Sequence, residues 1–574
     1  MKYICNPLNL EYKYQHHPKR EYAHREAADP TVVHFKGMYY LFASMSRGFW
    51  FSTDLFDWEF YQTDNFPVYY YAPDVRQVGD YLYFTGSRKT SRCPVMRTQN
   101  PLTGEFEYVG KPFAMLDPNL FEDEDGKVYL YHGSSPKKPL LGVEMDIMTM
   151  KPKGKMTTFF RSHPEKIGWE RTDSFSSCGG VSNPIFSKLA GGTTYIEGSY
   201  MTKHNGKYYL QYGAPDTAIT SYGDGVYVSD APLGPFEMQM HNPFSIVPGG
   251  FITGAGHGST LQDIYGNWWH FSTMCVLVNS GLERRVGMFP CGFDKDGILF
   301  CNQNFADYPY SLPEAKKDPS SIKPEWMLLS YKKVGTASSS DVGYGADLAL
   351  NESIKTCWRA ANANPGEWYL LDMEDSYEIH AIQLNFADVK VPAKKYPRKE
   401  TGGEITQKRH IDVESKLYTR YVLESSLDGK NWSVVVDKSK VETNLCHDTI
   451  ILEEGILARY LKITGVEMPY QQPMAISGFR VFGQGKGKLP EKAKAVAQRV
   501  DTMDARITWG KVPHALGYNV RFGIAPDKLY SSWLIYEYNQ LDLPFLNEAQ
   551  STYYVCVDAF NENGVTEGDV IMVQ

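Results

Sequence analysis

Four residues stand at matched places ahead of glycine turns and carry side chains able to do acid–base work. Asp29 lies eight residues before Gly37, and Asp117, Glu197 and His257 each lie nine before Gly126, Gly206 and Gly266. Brought to one point, three carboxyls and an imidazole suit hydrolysis of a glycosidic bond. That reaction needs one protonated carboxyl for the leaving oxygen and one ionised carboxylate to activate water or attack carbon. A third acidic group nearby raises the acid's pKa by like-charge repulsion and helps orient it. A carboxylate taken out of water is costly unless it is paired, metal-bound or used. A single DP or PD dipeptide is readily explained as a turn cap, but three acids in register are not. Asp74 lies only five residues before Gly79 and is expected lower in the site or to one side.

The elements that must position these residues are visible as repeats. The copies are ADPTVVHFKGMYYLFAS from Ala28, APDVRQVGDYLYFTGS from Ala72, LDPNLFEDEDGKVYLYHGSS from Leu116, IEGSYMTKHNGKYYLQYGA from Ile196 and GHGSTLQDIYGNWWHFST from Gly256. Each runs from a short apolar strand through a glycine turn, at Gly37, Gly79, Gly126, Gly206 and Gly266, into an aromatic strand. Glycine supplies the positive φ that a tight hairpin wants. Intervals of 42, 47, 80 and 60 residues between these glycines suit four-stranded sheets joined by variable loops. Five such sheets without a helical period predict an all-β, five-bladed β-propeller. Its innermost strands line a central channel, so equivalent strand ends converge on the axis. A large β-sandwich is the alternative that the register of the copies argues against.

Composition narrows the classes. The chain has 574 residues and a formal net charge of −8, which argues against a nucleic-acid partner. No apolar run reaches the ~18 residues that span a bilayer, so no membrane partner is expected. An aromatic content of 14 % gives the chain ample surface to bury and argues against disorder. Nine scattered cysteines without a CxxC pair fit buried thiols better than a disulfide framework or zinc site. The first 20 residues lack an apolar core of signal-peptide length. A cytoplasmic protein is expected, with a periplasmic or secreted one as the alternative if a signal was removed.

These motifs resemble glycoside hydrolase family 43, a group of five-bladed propellers that includes arabinofuranosidases, xylosidases, arabinanases and some galactosidases. The matching pieces are ADP with YYLF, YAPD, DPNLFEDEDGKVYL, IEGSYMTKHNGKYYL and GHGS, in the family's order over about residues 20–310. The resemblance implies that Asp29 is the general base, Glu197 the general acid and Asp117 the pKa modulator, with inversion at the anomeric carbon. It implies a substrate-binding role for Asp74 and an arginine beside the acids from LERRVGMFP, where alternation turns only one of Arg284 and Arg285 inward; Arg285 is preferred. His257 resembles the family's axial histidine beside a water or calcium, while a hydrogen-bonded channel histidine without metal is the other reading. No cofactor is required for the chemistry; a structural calcium in the channel is the only ion implied. Trp50, Tyr71 and Trp169 are candidates to stack on a sugar at the pocket mouth.

The implied activity is an exo-acting release of α-L-arabinofuranose or β-D-xylose from plant-type oligosaccharides. A β-galactosidase acting on galactan, a propeller that binds sugar without chemistry, and a retaining fructan-cleaving propeller are the alternatives. The repeats end in a Pro/Lys/Ser-rich stretch, giving a propeller over 1–325. Residues 326–484, with YVLESSLDGKNW, ARYLKITG and SGFRVFG, resemble a discoidin-type galactose-binding jelly-roll sandwich. Within them, 389–412 reads as a basic, solvated insertion, with a lid over the propeller's pocket as the lesser reading. Residues 485–574 resemble a fibronectin type III, immunoglobulin-like sandwich with Trp509, Tyr518 and Tyr554 in its core. The sequence leaves the oligomeric state open.

Overall fold

The computed structural model describes residues 1–63, 71–87, 92–172, 194–396 and 409–574. Five sheets, antiparallel except where Arg284 pairs in parallel with Glu26 in the fifth, are built on the first 300 residues, and their innermost strands are Thr31–Phe35, Tyr71–Val78, Asn119–Glu122, Glu197–His204 and Thr253–Gln262. These strands touch one another in cyclic order, the fifth returning to the first, which makes the ring of a five-bladed propeller. The five glycine turns all adopt the left-handed backbone, with φ between 57° and 86°. The alternation of Val32, Tyr39 and Leu41 with Val33, Tyr40 and Phe42 divides blade I between two cores, one on each side of the sheet. The aromatic excess is therefore repeated blade packing.

Each innermost strand begins with the same irregularity. The first regularly paired residues are Thr31, Asp74, Asn119, Tyr200 and Ser259. Two positions earlier stand Asp29, Ala72, Asp117, Gly198 and His257, with φ of 52°, 43°, 47°, 64° and 48°. A non-glycine residue at positive φ is uncommon and strained; four of five here are not glycine. The paired residues tie each blade to the next. Thr31 donates to the Pro73 carbonyl, Asp74 accepts from the Leu120 N–H, Asn119 from the Met201 N–H and Ser259 from the Val32 N–H, while Tyr200 donates to the Thr260 carbonyl.

This pattern corrects the expectation for Asp74. Blade II places Ala72 at the channel position, so Asp74, set to one side by its spacing, falls on the tie rather than in the substrate-binding place the resemblance implies. It is buried, accepts from Asn119 Nδ2 at 2.8 Å as well as from Leu120, and does not face the channel. Burial pushes its carboxyl up to about 6 against the pull of Arg76 and its two donors.

The later residues build two further bodies. One is an antiparallel sheet ordered Met327–Leu328, Ala475–Gln484, Trp368–Phe386, His447–Glu467, Arg420–Ser426 and Ser433–Asp437. The last ninety residues form a three-stranded and a five-stranded sheet over one core that includes Trp509, Tyr518, Val520 and Trp533. Tyr553, rather than Tyr554, is the buried member of that tyrosine pair. Both bodies pack on the propeller. The described ends of the 389–412 insertion are not a solvated loop: Val391 accepts from Ala23 N, and His410–Asp412 pairs with Lys13–His16 at the outer edge of the fifth sheet. No helix among the described residues is long and apolar enough to cross a membrane.

The tie at Asp74 generates a stability test. Asp74→Ala strands a buried backbone N–H and a buried amide, and is expected to cost about 1–3 kcal/mol in urea unfolding. Unchanged stability with weakened sugar binding would return Asp74 to the pocket.

Candidate functional site

The left-handed entries turn Asp29, Asp117 and His257 into the channel, and hydroxyls from neighbouring blades hold the bent backbone. The Asp29 N–H donates to Thr273 Oγ1 at 2.8 Å, the Ala72 N–H to Ser44 Oγ at 2.8 Å, and the Asp117 N–H to Ser87 Oγ at 2.6 Å. The His257 N–H is held by Asp224 Oδ1 at 2.7 Å. Ser44, Ser87 and Thr273 close the repeat copies FAS, TGS and FST, and Ser134 stands next to last in HGSS. That recurring hydroxyl is the signal by which sequence reasoning could have found them.

The carboxyls are individually oriented. Asp29 Oδ2 accepts from Ser44 Oγ at 2.5 Å, and its Oδ1 from Arg284 Nη1 at 3.2 Å. Asp117 Oδ1 accepts from Ser87 Oγ at 2.9 Å. Glu197 Oε1 accepts from Tyr222 Oη at 2.7 Å and its Oε2 from Ser134 Oγ at 2.9 Å. His257 Nδ1 stands 3.5 Å from Asp29 Oδ1 and 4.0 Å from Asp117 Oδ2. In blade IV the left-handed residue is Gly198, one position after Glu197, and the imidazole packs directly on it. A Cβ at Gly198 would lie 2.6 Å from His257 Cγ, so both φ and space require glycine there.

Charge is uneven across the group. Burial, reinforced by Glu197 and Asp29, pushes Asp117 up to about 7 despite His257 and the Ser87 hydrogen bond. Burial pulls the His257 imidazole down, but Asp29, Asp117, Glu197 and Asp224 outweigh it and the net shift is upward. The Arg284 guanidinium supplies positive charge among the carboxyls, and His257 is pushed toward its charged form. A calcium ion wants six to eight oxygen ligands. Around His257 both oxygens of Asp29 and one of Asp117 accept from Ser44, Arg284 and Ser87, so a calcium there would draw most of its ligands from water.

Several expected site residues lie elsewhere. Arg284, not Arg285, faces the carboxyls: its Nη1 also donates to Thr217 Oγ1 at 2.9 Å and its Nη2 to Glu26. Arg285 lies on the other face, stacked over Tyr12 and donating to His447 Nε2 at 2.8 Å. Trp50 is fully buried with its ring 5.1 Å from Phe60, inside blade I. Trp169 is buried against Tyr212 in the core that the propeller shares with the last ninety residues. Neither tryptophan offers a face to a sugar. Tyr71 opens the inner strand of blade II, and its hydroxyl is held by Arg409 from the 389–412 insertion. Sequence reasoning also missed Glu26, Thr217 and Tyr222, whose positions carry no motif.

The raised Asp117 makes stability depend on pH. Its ordinary value is 3.8 and its folded value about 7, so between these the folded chain keeps a proton the unfolded chain has lost. Stability falls as pH rises through that window and stays reduced above it. Asp117→Asn cannot ionise and is expected to be more stable than the parent by about 1–3 kcal/mol near pH 8, the gap closing below about pH 4. Urea unfolding at the two pH values checks this; a pH-independent gap contradicts it.

The chain is similar to several known proteins. The chain is 24 % identical over 217 residues to the beta-xylosidase of Xylanibacter ruminicola, covering 36 % of this chain and 61 % of that protein. It is 25 % identical over 221 residues to a xylosidase/arabinosidase of Bacteroides ovatus, covering 36 % and 60 %. A beta-D-galactofuranosidase of Aspergillus niger is 24 % identical over 200 residues, covering 32 % and 48 %. The chain therefore spans less than two thirds of each of these relatives. A solved glycoside hydrolase aligns with 79 % of this chain and 97 % of its own at 18 % identity and a TM-score of 0.44. The family model for glycosyl hydrolases family 43 matches residues 23–299.

Proposed function

We propose that the chain is an exo-acting, inverting glycoside hydrolase that releases α-L-arabinofuranose or β-D-xylose from plant-type oligosaccharides. The observation that carries this reading is the meeting of Asp29, Asp117 and Glu197 around His257 and Arg284 within the family 43 segment. The xylosidase and arabinosidase names of the relatives support a pentose.

Asp29, oriented by Ser44 and Arg284, takes a proton from water as the water oxygen attacks the anomeric carbon. Glu197, oriented by Tyr222 and Ser134, gives its proton to the departing glycosidic oxygen as the C–O bond breaks. Asp117 couples electrostatically to both and tunes them. The product is the free sugar of opposite anomeric configuration, and inversion calls for a base–acid separation of roughly 6.5–9.5 Å, room for one water. Family 43 chemistry needs no cofactor.

The same reading divides the chain into a catalytic propeller over 1–325, a discoidin-like sandwich over 326–484 and a fibronectin type III-like sandwich over 485–574. The topology Ala495–Arg499, Ala505–Trp509, Gln540–Leu543 against Ser531–Ile535, Gly517–Gly523, Tyr554–Asn561, Gly564–Thr566 supports the last of these. Buried thiols at Cys5, Cys275, Cys291, Cys301, Cys357, Cys446 and Cys556 support a reducing, cytoplasmic setting; Cys178 lies outside the described residues.

Aryl α-L-arabinofuranoside, β-D-xyloside and β-D-galactoside, assayed side by side, test the activity. A pentoside is expected to be cleaved, and Glu197→Gln to lose roughly 10²–10⁴-fold in kcat while still binding the sugar. Proton NMR of the first-formed anomer is expected to show inversion. Sugar binding by the parent chain with no cleavage of any of the three would sink the enzyme reading in favour of a lectin.

A further inference from the structure

Four charges of alternating sign run from the second body of the chain into the catalytic centre. Arg409 Nη1 donates to Glu26 Oε2 at 2.6 Å, and Arg284 Nη2 donates to the other oxygen, Oε1, of the same carboxylate. Arg284 Nη1 in turn donates to Asp29 Oδ1 at 3.2 Å. All four side chains are buried: Arg409, Glu26, Arg284 and Asp29 are exposed by 1, 0, 2 and 5 %. Arg409 Nη1 also reaches Gln15 Oε1 at 3.1 Å, and its Nη2 holds the Tyr71 hydroxyl.

We propose that Arg409, supplied by the 389–412 insertion, is a positioning residue of the propeller's site: by neutralising Glu26 it leaves Arg284 free to hold Asp29. The role assigned to Asp29 rests on the hydrolase reading above. The physics is a competition for one guanidinium. Arg284 Nε has no hydrogen-bond partner among the described residues. Its orientation is therefore set by Glu26 at one nitrogen and by Asp29 with Thr217 at the other. Glu26 is fully buried, and a buried carboxylate stripped of one of two cationic partners draws harder on the one left. Without Arg409, Glu26 takes both ends of Arg284, and Asp29 loses its charged donor while a net negative charge is added beside three other carboxyls. Arg409 is placed for this by backbone: its neighbours His410–Asp412 form a strand on Lys13–His16, and that strand in turn pairs with His24–Glu26. The described end of the insertion, His410–Asp412, thus docks beside the segment that carries Glu26.

The test uses the full chain with Arg409→Met, Arg409→Lys, Glu26→Gln and the Arg409→Met/Glu26→Gln pair. Arg409→Met is expected to lower kcat on the cleaved aryl pentoside roughly 100-fold, the scale of a catalytic group misplaced by about 1 Å, with KM moving much less. Arg409→Lys keeps the positive charge and should recover most of that loss. In the Glu26→Gln background the charge to be neutralised is gone, so adding Arg409→Met should cost little more. A merely structural arginine would lower the unfolding midpoint without this kcat pattern. The crystal structure of Arg409→Met gives a readout independent of turnover: Arg284 is expected to leave Asp29 for Glu26. An Arg284–Asp29 pair intact in that structure overturns the proposal, whatever the activity. A parent chain that cleaves no glycoside defeats the hydrolase reading instead and leaves the structural readout to decide the role of Arg409.

Discussion

The left-handed backbone at the entry of every innermost strand is the constraint on which the rest of the site depends. It bends the chain so that the side chain at that point leaves the sheet and enters the channel. Two positions later the strand is regular again and ties to the next blade. The bend is costly, of order 1–3 kcal/mol for each non-glycine residue held there. Neighbouring blades offset it, because Thr273, Ser44, Ser87 and Asp224 accept the N–H groups that the bend exposes. Each of these bends is held by a side chain of the adjacent blade. Strain at Asp29, Asp117 and His257 is thus maintained between blades and concentrated where titratable side chains meet.

Electrostatics then decides which groups can share that small space. Three carboxyls would repel one another strongly in a buried channel. The repulsion is met in three different ways: Arg284 pairs with Asp29, the imidazole of His257 stands between Asp29 and Asp117, and Asp117 itself is pushed up to about 7. Glu197 is held instead by two neutral hydroxyls, from Tyr222 and Ser134. Similar side chains thereby acquire unlike surroundings, which is the condition for giving them unlike tasks.

The blades and their turns were legible because they repeat. Glycines with φ > 0, aromatic second strands and the acids ahead of them recur at fixed spacing, and the channel residues Asp29, Asp117 and His257 follow from that spacing. The count from its turn glycine set Asp74 to one side, and it was the resemblance of YAPD that gave it to the substrate, whereas its carboxylate ties two blades together. Arg284 and Arg285 could not be separated, since alternation fixes that they oppose each other but not which face is inward. Trp50 and Trp169 show the limit of composition: an aromatic near a motif is as useful to a core as to a sugar, and here both fill cores. The part played by Arg409 and Tyr71 was hidden for another reason. Their contact spans 338 residues and rests on an edge strand that only the folded chain creates.

That last contact changes how the chain's modular appearance should be understood. The composition breaks near residues 320 and 485 suggest beads on a string, with chemistry confined to the first. The packing says otherwise. Trp169 and Ile167 from the propeller lie in one core with Val520 and Trp533 of the last ninety residues, and Arg480 from the middle body pairs with Glu352 beside the propeller's Asp307. Burying a charged pair at such a junction contributes little net stability, but removing one partner is costly, so these contacts fix how the bodies sit more than they strengthen them. The 389–412 insertion extends the same logic to the channel, where the carboxylate of Glu26 divides its oxygens between an arginine of the propeller and one of the middle body. A centre built this way needs a rigid junction, since a register shift of His410–Asp412 on Lys13–His16 would carry the adjoining Arg409 away from Glu26 and leave Arg284 as that carboxylate's one arginine partner.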